Sequence, residues 1–326
     1  MTVSLASWPP AHRLGFGSAT LGNLYRALDD ETAKATRDTA LAGGIGYVDT
    51  APHYGQGLSE RRLAQLDEAV ILSSKVGRVL RPIAAPPLGT ERHGFVDGDP
   101  FEPEFDYSRD GVLRSFEDSL KRLKRDRIDI LLAHDLGALT HGEAHPRHLR
   151  DFLEGGYPAM CELKAEGRIT AIGLGINETE IAETVLGHAD LDMVMLAGRY
   201  TLLEQGALDH FLPLCAARGV QILAAGPFNS GILSGGAAYN YAPAPDSVRA
   251  RVARLEAVCR AFDVPLAAAA LQFPLAHPAV AVVVAGMASP AEVRANLALM
   301  QTPIPAALWA ALKTEGLIRQ DAPCSE

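Results

Sequence analysis

A closed (β/α)8 barrel is the fold class that this sequence predicts, and three observations predict it. Eight short apolar runs recur along the 326 residues, most of them followed by a stretch of helical periodicity. The runs are rich in Val, Ile and Leu without clean alternation, which suits parallel strands covered on both faces. A composition of 48% hydrophobic and 21% charged residues supplies a sizeable core, and a single barrel with insertions reaches this length. The rival, a doubly wound sheet, would carry a G-x-G-x-x-G turn after its first strand. Gly15-Phe16-Gly17 followed by Ser18 and Ala19 does not complete that pattern.

Taken in order, strands are expected at Leu14–Gly17, Tyr47–Thr50, Val70–Ser74, Ile128–His134, Ile169–Gly173, Met193–Leu196, Val220–Ala224 and Val280–Ala285. Helical patterns lie between them. Leu113, Phe116, Leu120 and Leu123 follow three- and four-residue steps, while Arg114, Glu117, Asp118 and Lys121 take the other face. From Arg249 to Phe262 a second stripe carries Val252, Leu255, Val258 and Phe262. Two connections exceed a plain βα loop. Arg78 to Ser108 holds five prolines with several glycines, and Pro227 to Asp246 contains NSGILSGG and then YNYAPAP. Both leave the C-terminal ends of strands, where barrel enzymes build lids and pocket walls. No linker or repeat divides the chain, so residues 1–326 are expected to form one barrel domain.

The formal net charge of −9 argues against nucleic acid or an anionic membrane as a main partner. Cys161, Cys215, Cys259 and Cys324 lie far apart with no C-x-x-C pair, which suits reduced thiols in a cytosolic protein. The start MTVSLASWPP lacks a basic region leading into an apolar core, and the Ala-rich segment Leu266–Leu275 is too short to span a bilayer. A cytoplasmic protein without membrane partners is expected. The stretch HGEAHPRH, with His141, His145 and His148, invites a metal reading. Pro146 is expected to interrupt any helix that would align those rings, so a solvated loop is the expectation and no metal is assigned.

Four polar groups sit at or just beyond the ends of three successive expected strands. Asp49 ends YVDTA, Tyr54 follows in APHYGQG, Lys75 closes VILSSKVG and His134 closes IDILLAHD. The C-terminal rim of a barrel collects such groups from several strands. A free phenol titrates near pH 10, and a nearby ammonium is expected to lower that value, with a carboxylate holding the lysine in place. A histidine beside the phenol orients a substrate oxygen or relays a proton. Hydride transfer needs a cofactor, because no side chain supplies hydride.

GFGSATLG, YVDTAPHYGQGLSE, LSSKVG, LLAHD and IGLGIN, in that order, resemble the aldo-keto reductase family over nearly the whole chain. The resemblance implies a barrel that binds an extended nicotinamide dinucleotide without a Rossmann domain, with Asp49, Tyr54, Lys75 and His134 as the catalytic tetrad. It places Asn177 on the nicotinamide carboxamide, and Ser230, Gly231, Leu233 and Ser234 in the loop around the pyrophosphate. Gly17 and Ser18 match the first-strand loop beneath the nicotinamide. Two positions depart from the pattern. Ala197 stands where the family has a glutamine, and Ala225 where an aromatic commonly stacks on the nicotinamide, with Tyr200 and Phe228 as nearby substitutes.

Aligned on Asn296, the positions that NADP-using relatives fill with lysine, serine and arginine hold Gly286, Met287 and Glu292. A carboxylate disfavours the 2′-phosphate and accepts a hydrogen bond from a free ribose hydroxyl, which leans toward NAD, with Ser289 and Arg294 close enough to hold NADP instead. Within the family, YVDTAPHYGQGLSE, PFEPEFDYSRDGVLRSFEDSL and AGRYTLLEQ look most like the group of L-fucose (D-threo-aldose) and pyridoxal 4-dehydrogenases. That implies oxidation of a cyclic sugar to its lactone, Tyr54 taking the proton. Trp8, His53, Tyr107, Arg199 and Tyr200 would suit a hydroxyl-rich pocket. A general aldehyde reductase is the alternative within the family. A barrel metallohydrolase and a non-enzymatic subunit that senses cofactor redox state, as some barrels of this family do in channels, are the alternatives of other classes.

Overall fold

The computed structural model describes residues 13–325, so Trp8 lies outside the described residues. Eight parallel strands close a barrel: β1 (Leu14–Gly17), β2 (Tyr47–Asp49), β3 (Ile71–Val76), β4 (Ile130–His134), β5 (Ala171–Ile176), β6 (Met193–Ala197), β7 (Gln221–Ala225) and β8 (Val280–Gly286). They run in sequence order around the barrel, with β8 pairing back onto β1. All eight expected strands form, but two are displaced. β3 continues through Lys75 to Val76, and β5 runs from Ala171 to Ile176 rather than ending at Gly173. The glycines of IGLGI look like a strand end and are in fact interior. A Cβ on Gly173 would stand 2.1 Å from the Met193 carbonyl oxygen, and one on Gly175 would stand 3.1 Å from Cε of Lys75. Gly175 therefore leaves room for the lysine side chain to cross the barrel.

Period-2 alternation sorts the strand residues into two cores. Tyr47, Ile130, Leu132, Met193, Met195 and Leu223 fill the lumen. Phe16, Leu72, Leu131, Leu174, Val194, Ile222 and Val283 face the helices outside. Asp49 shares the inward parity of Tyr47, Lys75 that of Ile71, and His134 that of Leu132. Three polar groups thus stand on the top inward positions of three adjacent strands. The helix Arg109–Leu123 buries Val112, Phe116, Leu120 and Leu123 as its stripe predicts, and starts where the Ser108 hydroxyl accepts from the Gly111 amide. The helix Asp246–Ala261 buries Leu255 and Cys259.

Both long connections carry hairpins. In the first, Arg78–Pro82 pairs antiparallel with Phe101–Phe105; in the second, Ala238–Tyr239 pairs with Ala242–Pro243. The histidine-rich stretch is helical, which corrects the expected loop. Pro146 lies in the first turn of the helix His145–Asp151, where its missing N–H costs nothing, and the rings of His141 and His148 lie 4.2 Å apart. Cys215 and Cys259 are buried free thiols, and Cys161 and Cys324 are half-buried. Among the described residues no single helix is long and apolar enough to cross a membrane.

Candidate active site

At the C-terminal mouth the chain brings the four expected residues together. Lys75 Nζ donates to both Asp49 oxygens at 2.7 and 2.8 Å, to the Thr50 carbonyl at 2.9 Å and to the Tyr54 hydroxyl at 3.0 Å. Ser73, one inward position below Lys75, donates to Asp49 Oδ1 at 2.7 Å. Asp49 and Lys75 are each 2% exposed. An ion pair this deep is stable only when its remaining donors and acceptors are satisfied, and Ser73 and Thr50 do that. Tyr54 reaches the pair from the turn after β2, its hydroxyl 3.5 Å from Asp49 Oδ2, with the His134 ring edge-on at 5.9 Å. The end of the same motif ties the turn down. The Ser59 hydroxyl donates to the Ser18 carbonyl, and the fully buried Glu60 carboxylate accepts from Ser74 and Arg122, at 2.7 and 2.6 Å.

The electrostatics differ from the expected acidified phenol. Burial and the Asp49 carboxylate hold the Tyr54 phenol well above its ordinary range. The ammonium of Lys75 is matched by Asp49 in contact, so little positive field is left at the phenol. Burial also draws the Lys75 amine down, with Asp49 opposing. His134 is held neutral by burial, Arg78 and Lys75, and His53 is pushed down to about 2 by burial, Arg78 and His134. The resting site is therefore a protonated phenol beside two neutral imidazoles.

Two further residues that the sequence pattern does not mark stand at the mouth. Arg78 pairs with Asp135 at 2.6 Å and stands 3.4 Å from His53 Nδ1. Asp135 lies 3.5 Å from His134 Nε2 and accepts from the Asn177 amide nitrogen at 3.1 Å. Their only signal is adjacency, Asp135 directly after His134 and Arg78 three residues after Lys75. Tyr107 is not a pocket wall. It is 1% exposed behind the site, where its hydroxyl donates to the His134 carbonyl at 2.5 Å and lies 2.9 Å from His141 Nε2. Tyr200 is turned outward against Phe273 and His277, and Phe228 packs on the outer core, so neither substitutes for an aromatic at the lumen side. Arg199 does reach the mouth, donating to the Asn177 carbonyl at 2.8 Å and to Asn240 Oδ1 at 3.0 Å.

The expected cofactor residues divide the same way. Gly17 ends β1 in register with Asp49 and Gly286, whereas the Ser18 hydroxyl is fully buried and donates to the Asp49 carbonyl at 2.7 Å. In the loop after β7, the amides of Gly231, Leu233, Ser234 and Gly236 are all donated to carbonyls of the turn itself, and the Leu233 side chain is buried. The Ser230 hydroxyl accepts from the Tyr241 amide at 2.9 Å. After β8, Glu292 Oε2 accepts from the Ala288 amide at 2.8 Å, and the Ser289 hydroxyl caps the helix Pro290–Gln301 by accepting from the Glu292 amide at 3.2 Å. Glu292 Oε1 faces Arg26 at 3.4 Å, and Met287 and Asn296 are buried.

The model of the Aldo/keto reductase family matches residues 13–314. The chain belongs to that family. A pyridoxal 4-dehydrogenase from Microbacterium luteolum is 42% identical over 94% of each chain, and a D-threo-aldose 1-dehydrogenase from a Pseudomonas species is also 42% identical over 94% of each. Among solved structures, an aldo-keto reductase from Bacillus halodurans in its holo form superposes with a TM-score of 0.71 at 27% identity, covering 96% of this chain and 94% of that one. Membership makes this aldo-keto reductase an oxidoreductase and overturns the metallohydrolase alternative.

Proposed function

We propose that this aldo-keto reductase is a nicotinamide-dependent dehydrogenase that oxidises a cyclic aldose of the D-threo type, such as L-fucose, at its anomeric carbon. The observation that carries the reading is the Tyr54 hydroxyl, 3.0 Å from the amine of Lys75 and edge-on to a neutral His134 at the mouth of the barrel. A bound nicotinamide would supply the hydride acceptor that no side chain provides. As phenolate, Tyr54 takes the anomeric hydroxyl proton, and loss of the hydride from the same carbon leaves the lactone. A neutral His134 positions the sugar oxygen without competing for that proton. His53 and Arg199 border the space above.

The donor set fits a carboxamide. Asp135 takes the Asn177 amide nitrogen, which presents Asn177 Oδ1 to the mouth as an acceptor. Glu292, held beside the loop after β8, supports NAD over NADP. The 42% identity to a pyridoxal 4-dehydrogenase favours a second reading, in which the planar ring of pyridoxal replaces the sugar. The test is a panel of L-fucose, D-arabinose, L-galactose and pyridoxal with NAD and NADP, followed by the absorbance of reduced cofactor. L-Fucose with NAD is expected to give the highest kcat/KM. Turnover of pyridoxal alone would move the assignment to the second reading, and turnover of none would refute both.

A further inference from the structure

The hairpin Ala238–Pro243 carries a residue that its own turn does not favour. Tyr239 pairs with Ala242, so Asn240 and Tyr241 form a two-residue turn, with φ of 47° and 63°. Such a turn needs left-handed backbone at both central positions, which is why glycine is preferred at the second. A bulky side chain held in that region is an outlier that marks a demand from elsewhere. Tyr241 is 64% exposed, so core packing does not explain it. Its place does. The Tyr241 amide is fixed by Ser230, its hydroxyl lies 3.4 Å from Asn177 Oδ1, and its neighbour Asn240 accepts from Arg199.

Below this hairpin the barrel wall is low. β6 and β7 end at Ala197 and Ala225, paired in register, and Ala225 packs on the lumen core. By the two-residue pleat Ala197 points inward as well. Two methyl groups leave open the side of the mouth that faces Asn177, and Tyr241 is the aromatic residue poised above it.

We propose that Tyr241 supplies the aromatic face against which the nicotinamide ring lies, and that its hydroxyl occupies, on Asn177, the place of the carboxamide NH2. The proposal rests on the nicotinamide-dependent reading above.

Calorimetric titration of the whole protein tests it, with NADH and NADPH set against ADP-ribose and its 2′-phosphate, which lack the nicotinamide. Tyr241→Gly suits the turn and so folds, and it is expected to weaken dinucleotide binding about tenfold while the fragments change by less than about twofold. Tyr241→Phe keeps the face and is expected to bind like the wild type. Equal losses for dinucleotide and fragment, or no loss for either, would overturn the proposal alone. A wild-type protein that binds no dinucleotide would overturn the nicotinamide reading and this proposal with it.

Discussion

The two sides of the barrel mouth are built differently. On the β2–β4 side, Asp49, Lys75 and His134 sit on strands, no more than 7% exposed, and every distance among Asp49, Lys75 and Tyr54 lies within hydrogen-bond reach. On the β6–β8 side, β6 and β7 end in alanines and loops form the rim, with Asn229, Ser230, Asn240 and Tyr241 in left-handed backbone and Glu292 exposed. Proton transfer depends on tenths of an ångström, and the strands fix the ion pair that Tyr54 reaches from its turn. The loop after β7 is instead held by hydrogen bonds within its own turn.

If this division is right, damage on the strand side shows as lost stability and turnover, and damage on the loop side as altered binding. The largest effect is expected from Asp49→Asn, which leaves the buried Lys75 amine without its counter-charge and should cost about 3–5 kcal/mol in denaturant unfolding. A cost below about 1 kcal/mol would show that the pair is hydrated and the strand side less rigid than described. Acid should act on the same side. His134 and His53 have pKa values depressed in the folded protein, so the unfolded chain binds protons first. Stability is fully present above about pH 6.5 and falls below it, by about 1.4 kcal/mol per pH unit for each histidine. Urea unfolding of wild type and His134→Asn at pH 7 and pH 5 should show a shallower fall in the variant.

Gly175→Ala is a finer probe, because its methyl group presses on the Lys75 side chain. A drop of about tenfold in kcat with cofactor affinity unchanged is expected, and wild-type kcat would show that the lysine tolerates displacement. The smallest effect belongs to the loop side. Glu292→Arg should shift the ratio of kcat/KM toward NADP by about tenfold. An unchanged ratio would reduce Glu292 to the acceptor of the Ala288 amide.

What the sequence discloses follows the same boundary. The barrel and the four residues of the β2–β4 side are legible because recurring apolar runs and the patterns VDTAPHYG, LSSKVG and LLAHD encode them locally. The strand expected to end at Gly173 runs on to Ile176, because Gly173 and Gly175 admit Met193 and Lys75 from other strands, a contact that local sequence does not record. The phenol was expected to be acidified because a lysine is visible in sequence, whereas its neutralisation by Asp49 is a matter of distance. Tyr107 was assigned to the pocket because a loop position carries no record of which way its ring turns. Arg78 and Asp135 carry no mark in the sequence for the same reason, since their contacts with His53 and Asn177 join segments far apart in the chain.

The pH profile of kcat for sugar oxidation, compared between wild type and Tyr54→Phe, tests the central claim most directly. The wild-type rate is expected to rise with pH as the Tyr54 phenol ionises, and the variant to show a residual rate at least about 100-fold lower without that limb. A limb that persists when the hydroxyl is gone would place the proton acceptor on another residue.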